Sequence, residues 1–323
     1  MDLEPQPTTS TDQDRLRRQR VVAVVGPTAV GKTALAEALA VALDGEIVSA
    51  DSMQVYRGMD VGTAKPPAGD RRVPYHCIDV VDPGEPFSAA LYQKIARDAI
   101  ACIAGAARVP VVVGGTGLYV RAVLDPFEFP EGEQRANAVR ERYEAVAERQ
   151  GPDRVYALLQ SADPASAALI HPNNTRRVIR ALEMHEAGVS YAAHSERFSV
   201  RESIYDARFI GLTMERPHLY ERIDARVDAM MSLGLPGEVE RLLHLGFREA
   251  LTAQQAIGYK ELVPVVEQGA DLSEAVLAIK QATRRYAKRQ FTWFKADSRV
   301  RWLDVTELSL EDALTQALRA LDW

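Results

Sequence analysis

Cysteine is scarce in this chain, with only Cys77 and Cys102 among 323 residues. Neither stands in a C-x-x-C pair, which excludes a disulfide scaffold and a thiolate zinc site and fits a reducing compartment. Long apolar runs are missing as well. Nothing approaches the roughly 18 apolar residues of a membrane span. The first nineteen residues, MDLEPQPTTSTDQDRLRRQ, have no apolar h-region. They are polar and rich in Pro and Thr, so residues 1–19 read as a disordered tail rather than a signal peptide. The chain also lacks a positive balance. Its formal net charge is -6, so any nucleic-acid contact must use a local patch. The six histidines show no metal-ligand spacing. These absences predict a cytoplasmic protein without membrane attachment. A monomer is the expected state.

What is present organises itself readily. A chain of this length that is 47% hydrophobic can bury a large core, as about two domains or one domain with an insertion. VVAVV (21–25) is a continuous β-branched run suited to a central parallel strand. TALAEALAVAL (33–43) has helical spacing and strong helix formers. EIVS starts a second strand, YHCIDVV (75–81) is a short candidate strand, and QKIARDAIACIAGAA (93–107) is a helix before the apolar strand VPVVVGG (109–115). Strand and helix alternate, which predicts a doubly wound α/β fold with ligands at the carboxyl ends of the strands. DPFEFPEGE (125–133) reads as a linker, and 131–198 as a helical insertion rich in Ala, Arg and Glu. RFIGLTM (208–214) and VRWLDV (300–305) return to strand character, separated by amphipathic helices over 217–234 and 272–294. The expected core is therefore 20–130 with 199–323.

Gly26-Pro27-Thr28-Ala29-Val30-Gly31-Lys32-Thr33 matches G-x-x-x-x-G-K-[ST] at every fixed position, between a strand and a helix. From average residue usage, a chance match in a chain this long has a probability of about 0.01. The glycines let backbone N–H groups converge on phosphate oxygens at a helix N-terminus. Lys32 would neutralise the terminal phosphate and the Thr33 hydroxyl would hold Mg²⁺. A motor or switch NTPase usually carries a strand-end Asp for the Mg²⁺ shell, yet VPVVVGG ends in Gly114-Gly115-Thr116. The acid appears instead after the second strand, as Asp51. There it could act in the outer shell of Mg²⁺, serve as a general base, or simply cap the following turn.

GPTAVGKT, SADSMQVYRGMDVGTAKP, VGGTGLYVRA, NNTRRVIRALEMHEAG, AQQAIGYKE and RRYAKRQFTWFK occur in that order. Together they resemble the bacterial tRNA dimethylallyltransferases over nearly all of 20–296. The resemblance implies a P-loop NTPase-like parallel sheet with an all-helical insertion. It also implies transfer of a dimethylallyl group from dimethylallyl diphosphate to the N6 amine of the adenosine 3′-adjacent to the anticodon, in tRNAs reading codons that begin with U. Asp51 then corresponds to the general base, and Arg216 to a diphosphate ligand beside Lys32, Thr33 and the loop 26–33. Thr116 corresponds to a contact near the reacting amine, with a turn hydroxyl as its bland alternative. Ser52, Met53 and Gln54 would line the base pocket, with Gln54 suited to read adenine bidentately. Arg140 and the run Arg176, Arg177, Val178, Ile179 and Arg180 correspond to tRNA contacts on the insertion. Mg²⁺ is the implied cofactor, and a tRNA anticodon stem-loop the implied partner.

Residues 280–301 contain Lys280, Arg284, Arg285, Lys288, Arg289, Lys295, Arg299 and Arg301 against a single acid, Asp297. Such local asymmetry suits a phosphate-tracking surface, although a solvated helix face is the usual explanation. Tyr286, Phe291, Trp293 and Phe294 read as core residues at helical spacing. A base that is modified must be exposed, so the adenine is expected to leave the anticodon-loop stack and enter a channel between core and insertion. Three other readings remain open on residues alone: a small-molecule P-loop kinase, an adenylate prenyltransferase acting on a free nucleotide, and an NTP-gated RNA-binding module.

Overall fold

The five residues of VVAVV leave strand β1 (Arg20–Val25) no polar face, and all five are fully buried. Such a strand is stable only at the centre of a sheet covered on both sides. In the computed structural model, which describes residues 19–127, 129, 137–250 and 252–323, that is its position. The sheet has six strands in the order β3-β2-β4-β1-β5-β6, and every pairing is parallel. The others are β2 (Gly45–Ser49), β3 (Tyr75–His76), β4 (Val109–Gly114), β5 (Asp206–Thr213) and β6 (Val300–Asp304).

Side chains alternate across the pleat. Val21, Ala23 and Val25 face one hydrophobic cluster, with Val48, Val112, Tyr92 and Tyr119. Val22 and Val24 face a second, with Ile47, Val111 and Val113. Helices α1 (Lys32–Ala42) and α13 (Leu310–Leu321) cover the second face through Leu35, Leu39, Ala317 and Leu321. On the first face lie α2 (Ala89–Gly105) and α3 (Gly117–Leu124). Ser88 caps α2 by accepting the Leu91 N–H at 3.1 Å, so this helix starts four residues before the sequence-based expectation.

Four further helices complete this layer: α9 (Arg216–Ser232), α10 (Leu235–Leu243), α11 (Tyr259–Gln268) and α12 (Leu272–Lys295). The chain divides into two compact units, residues 1–126 with 203–323, and 127–202. In the second unit, α4 (Ala138–Gln150), α5 (Pro152–Ala162), α6 (Pro164–Leu169), α7 (Thr175–Glu186) and α8 (Tyr191–Ser199) follow one another. Its core is Val155, Leu159, Ile170, Val178, Ile179 and Leu182. The tail expected over 1–19, except Gln19, lies outside the described residues, as do residues 128 and 130–133 of the expected linker.

One expected strand is shortened. Pairing stops after His76 because Cys77 and Asp79 adopt positive φ, 60° and 55°. Lys65 holds this turn in place. Its ammonium, in a nearly buried side chain, reaches Asp79 at 2.6 Å, Asp60 at 2.7 Å and the Tyr56 carbonyl at 2.8 Å. The segment returns to pair only through the isolated bridge Tyr56–Val81.

Candidate active site

The carboxyl edge of the sheet builds the site. After β1, Gly26 turns at φ 139°, with no space for a side chain: a Cβ would stand 2.6 Å from the Leu212 carbonyl. Ala29 (φ 65°) and Gly31 (φ 108°) continue the left-handed backbone that turns N–H groups inward ahead of α1. Lys32 folds back over this loop and donates to the Pro27 carbonyl at 2.6 Å. Burial, reinforced by the neighbouring Arg226 and opposed by Asp51, holds the Lys32 ammonium down to about 7 from its ordinary 10.5. A cavity of about 330 Å³ opens over Lys32 and Thr33, with Arg222 and Arg226 on its far side. These cations and loop amides suit a di- or triphosphate.

Sequence reasoning assigned Arg216 to this place, and the structure corrects it. Arg216 begins α9 and lines a separate cavity with Pro27 and Lys288. Arg222 and Arg226, further along the helix, reach the phosphate loop instead. They are four residues apart, hence on one face, and Arg226 donates to the Thr63 carbonyl at 3.2 Å.

A second cavity of about 410 Å³ begins at Thr28 and Arg226 and runs past Asp51, Ser52 and Met53 to Tyr286. Ile223, Val227, Met230 and Ile279 make one side of it apolar. All of its lining belongs to the first unit. Asp51 lies two residues beyond β2. One carboxylate oxygen accepts the Met53 N–H at 2.9 Å, so the turn-capping reading holds for that atom. Among the described residues the other oxygen has no hydrogen-bond partner, on a side chain that lines the cavity. Thr116 does not cap its own helix. Its hydroxyl accepts the Ser52 N–H at 3.1 Å and fixes the loop that carries Asp51.

Tyr286 was expected in the core, yet it lines this cavity, with its phenol close to Thr116 and Gln290. Burial, then the Asp51 charge, pushes its phenol up to about 12, so it is a neutral hydrogen-bonding group. Tyr286, Arg289 and Gln290 share a face of α12 by their i, i+3, i+4 spacing, the signal that could have marked them.

Gln54, expected to read the base, does not line this cavity. Its amide oxygen accepts from the Ser49 hydroxyl at 3.0 Å and its amide nitrogen donates to the Thr63 carbonyl at 3.4 Å. In the helical unit, Val178 and Ile179 are buried in the core rather than presented to a ligand. Arg140 forms a two-pronged pair with the buried Glu183, at 2.7 and 2.9 Å, and Arg180 joins at 3.2 Å. Arg176 and Arg177 are exposed. The basic stretch 280–301 is partly neutralised as well. Lys280 pairs with Asp228, Arg284 with Asp224, and Arg301 with Asp322. Arg299 is a structural group held between Asp125 at 2.6 Å and Asp297 at 2.7 Å. Arg285 and Arg289 face the larger cavity.

No cluster of three or more His, Cys, Asp or Glu able to hold a metal exists among the described residues. Thr33 offers an exposed hydroxyl on the phosphate cavity. That donor set fits a hard, oxygen-ligated cation brought in with a phosphate ligand. No helix among the described residues is long and apolar enough to cross a membrane.

The sheet, the phosphate loop and the adjoining cavity define a P-loop α/β transferase. The profile described as IPP transferase matches residues 54–297, and that described as isopentenyl transferase matches 19–72. The tRNA dimethylallyltransferase of Bacillus subtilis is 50% identical over 291 residues, 90% of this chain and 92% of its own. That of Desulforudis audaxviator is 48% identical over 289 residues, 89% and 92% of the two chains. A solved tRNA isopentenylpyrophosphate transferase from Bacillus halodurans is 43% identical, with a TM-score of 0.68, covering 94% of this chain and 97% of that one. A eukaryotic dimethylallyltransferase solved acting on tRNA has a TM-score of 0.77 at 30% identity, over 93% and 78%. The chain belongs to the tRNA dimethylallyltransferase family.

Proposed function

We propose that this protein prenylates tRNA, moving a dimethylallyl group from dimethylallyl diphosphate to the N6 amine of the adenosine 3′-adjacent to the anticodon. The tRNAs are those that read codons beginning with U. One observation carries the chemistry: the phosphate cavity adjoins, through Arg226, a half-apolar cavity onto which Asp51 opens. A phosphoryl-transfer enzyme needs no apolar chamber there, and β4 ends in Gly114 without the acid that an NTPase usually places.

In this reading the loop amides 29–33, Lys32, Arg222 and Arg226 bind the diphosphate and stabilise the charge that grows on it as the allylic C–O bond breaks. A Mg²⁺ ion with Thr33 would add Lewis-acid stabilisation to the leaving group. The adenine amine is a poor nucleophile because its lone pair is delocalised into the ring. As its nitrogen bonds to the allylic carbon, the displaced proton passes to Asp51. The products are the N6-alkylated adenosine, diphosphate and a proton on the carboxylate. Met53, Ile223 and Val227 exclude water from the reactive carbon. The exposed Arg176 and Arg177 on α7 contact the RNA backbone.

The test offers labelled dimethylallyl diphosphate and Mg²⁺ with an anticodon stem-loop RNA, and in parallel with AMP or ATP. Label on the RNA alone is expected. Label on the free nucleotide, or ATP hydrolysis without label transfer, would overturn the reading.

A further inference from the structure

Gln290 bonds to the phosphate loop on one side and to the turn after β4 on the other. It is 5% exposed on α12. Its amide oxygen accepts the Thr28 N–H at 2.8 Å, and its amide nitrogen donates to the Gly115 carbonyl at 2.9 Å. Thr28 belongs to the phosphate loop. Gly115 precedes Thr116, whose hydroxyl holds the Ser52 amide beside Asp51. One turn back on α12, Tyr286 lines the same cavity as Asp51, with its phenol close to Thr116 and Gln290. The fit allows no slack on the far side, because a Cβ on Gly115 would stand 2.0 Å from the Gln290 amide nitrogen.

A buried amide that satisfied only its own helix would be scaffolding. This one spans from the backbone of the phosphate loop to the turn that sets the acceptor side. Alkyl transfer needs the allylic carbon and the amine in near-attack geometry, and an error of about 1 Å there costs on the order of 100-fold in rate. Gln290 has the reach and the paired donor and acceptor that such registration needs. We propose that Gln290 is a positioning residue that holds the diphosphate cradle and the Thr116–Ser52–Asp51 loop at a fixed separation. The role rests on the prenyl-transfer reading above.

Two variants perturb the bridge from opposite sides. Gln290→Met keeps side-chain length and removes both hydrogen bonds; Gly115→Ala leaves the glutamine and pushes it away. The measurements are the single-turnover rate of label transfer, the Kd for inorganic diphosphate with Mg²⁺, the Kd for the stem-loop RNA, and the melting temperature. Both variants are expected to lose roughly 10- to 100-fold in rate, with each Kd within about threefold of wild type, under 0.7 kcal/mol. Rates within about twofold of wild type would overturn the proposal, as would a rate loss matched by weaker diphosphate binding. If one variant is unfolded at the assay temperature, the other carries the test. Wild-type protein in the same assay separates the two ideas: without label transfer in that arm the prenyl-transfer reading fails, and with it only the role of Gln290 is at issue.

Discussion

Lys32 carries the clearest pH signature at the scale of single residues. Its folded pKa, about 7, lies below its ordinary 10.5, so between those values the free native protein holds fewer protons than the unfolded chain. Stability from this group therefore rises with pH across that window and is lost as pH falls through 7. Binding runs the other way. A diphosphate beside Lys32 favours the ammonium and raises its pKa, so binding above pH 7 must take up a proton. Affinity for inorganic diphosphate is expected to weaken from pH 7 toward 10, by up to about tenfold per pH unit. Calorimetry in buffers of different ionisation enthalpy should show uptake approaching one proton at pH 8.5; no uptake would contradict the assignment. The loop, Lys32 and Asp51 were legible in the sequence because backbone chirality and charge fix them locally. Gln54 and Arg216 were misread because their surroundings come from elsewhere. Ser49 and Thr63 meet Gln54 only after the loop folds, and helix pitch, not motif position, decides which α9 arginine reaches the phosphate loop.

Elements show the same division between local and distant causes. Four of the strands, β1, β2, β4 and β5, were readable because parallel strands covered on both faces become apolar runs. The end of β3 was not, since Lys65, fourteen residues before Asp79, sets the turn through that carboxylate. A comparable long-range tie holds the loop after Tyr56. Glu238 on α10 is 2% exposed and accepts the Val61 N–H at 2.8 Å, the Gly62 N–H at 3.2 Å and the Tyr259 hydroxyl at 2.6 Å. Glu238→Ala strands two amides and a phenol, so it is expected to cost about 3 kcal/mol. Urea unfolding measures this, and a loss below about 1 kcal/mol would show that water replaces the carboxylate at little cost. Thr63 belongs to the same loop and binds Arg226, so diphosphate affinity should fall with it.

At the scale of the whole molecule, charge is distributed against its average. The chain carries -6 overall, and many of its arginines are consumed internally, as Arg140, Arg180 and Arg299 are. That pairing is invisible in sequence, where every arginine in RRVIR looks equivalent. The structure separates them by exposure and pairing. Arg140→Ala is expected to destabilise the helical unit by uncovering Glu183, whereas the double variant Arg176→Ala, Arg177→Ala should leave melting unchanged and weaken RNA binding. Its slope of log K against log salt should be shallower by about 1 to 2. Filter binding across a salt series reads this directly, and an unchanged slope would remove these arginines from the RNA surface.

The central claim is that Asp51 takes the amine proton, and the most direct measurement is the single-turnover rate of Asp51→Asn with saturating dimethylallyl diphosphate and stem-loop RNA. Asparagine can still accept the Met53 N–H through its side-chain oxygen, so the loop survives while the base is gone. The rate should fall by about 100- to 10,000-fold, with diphosphate and RNA binding intact. A rate near wild type would mean that the amine loses its proton to water or to another group, and that Asp51 only caps its turn.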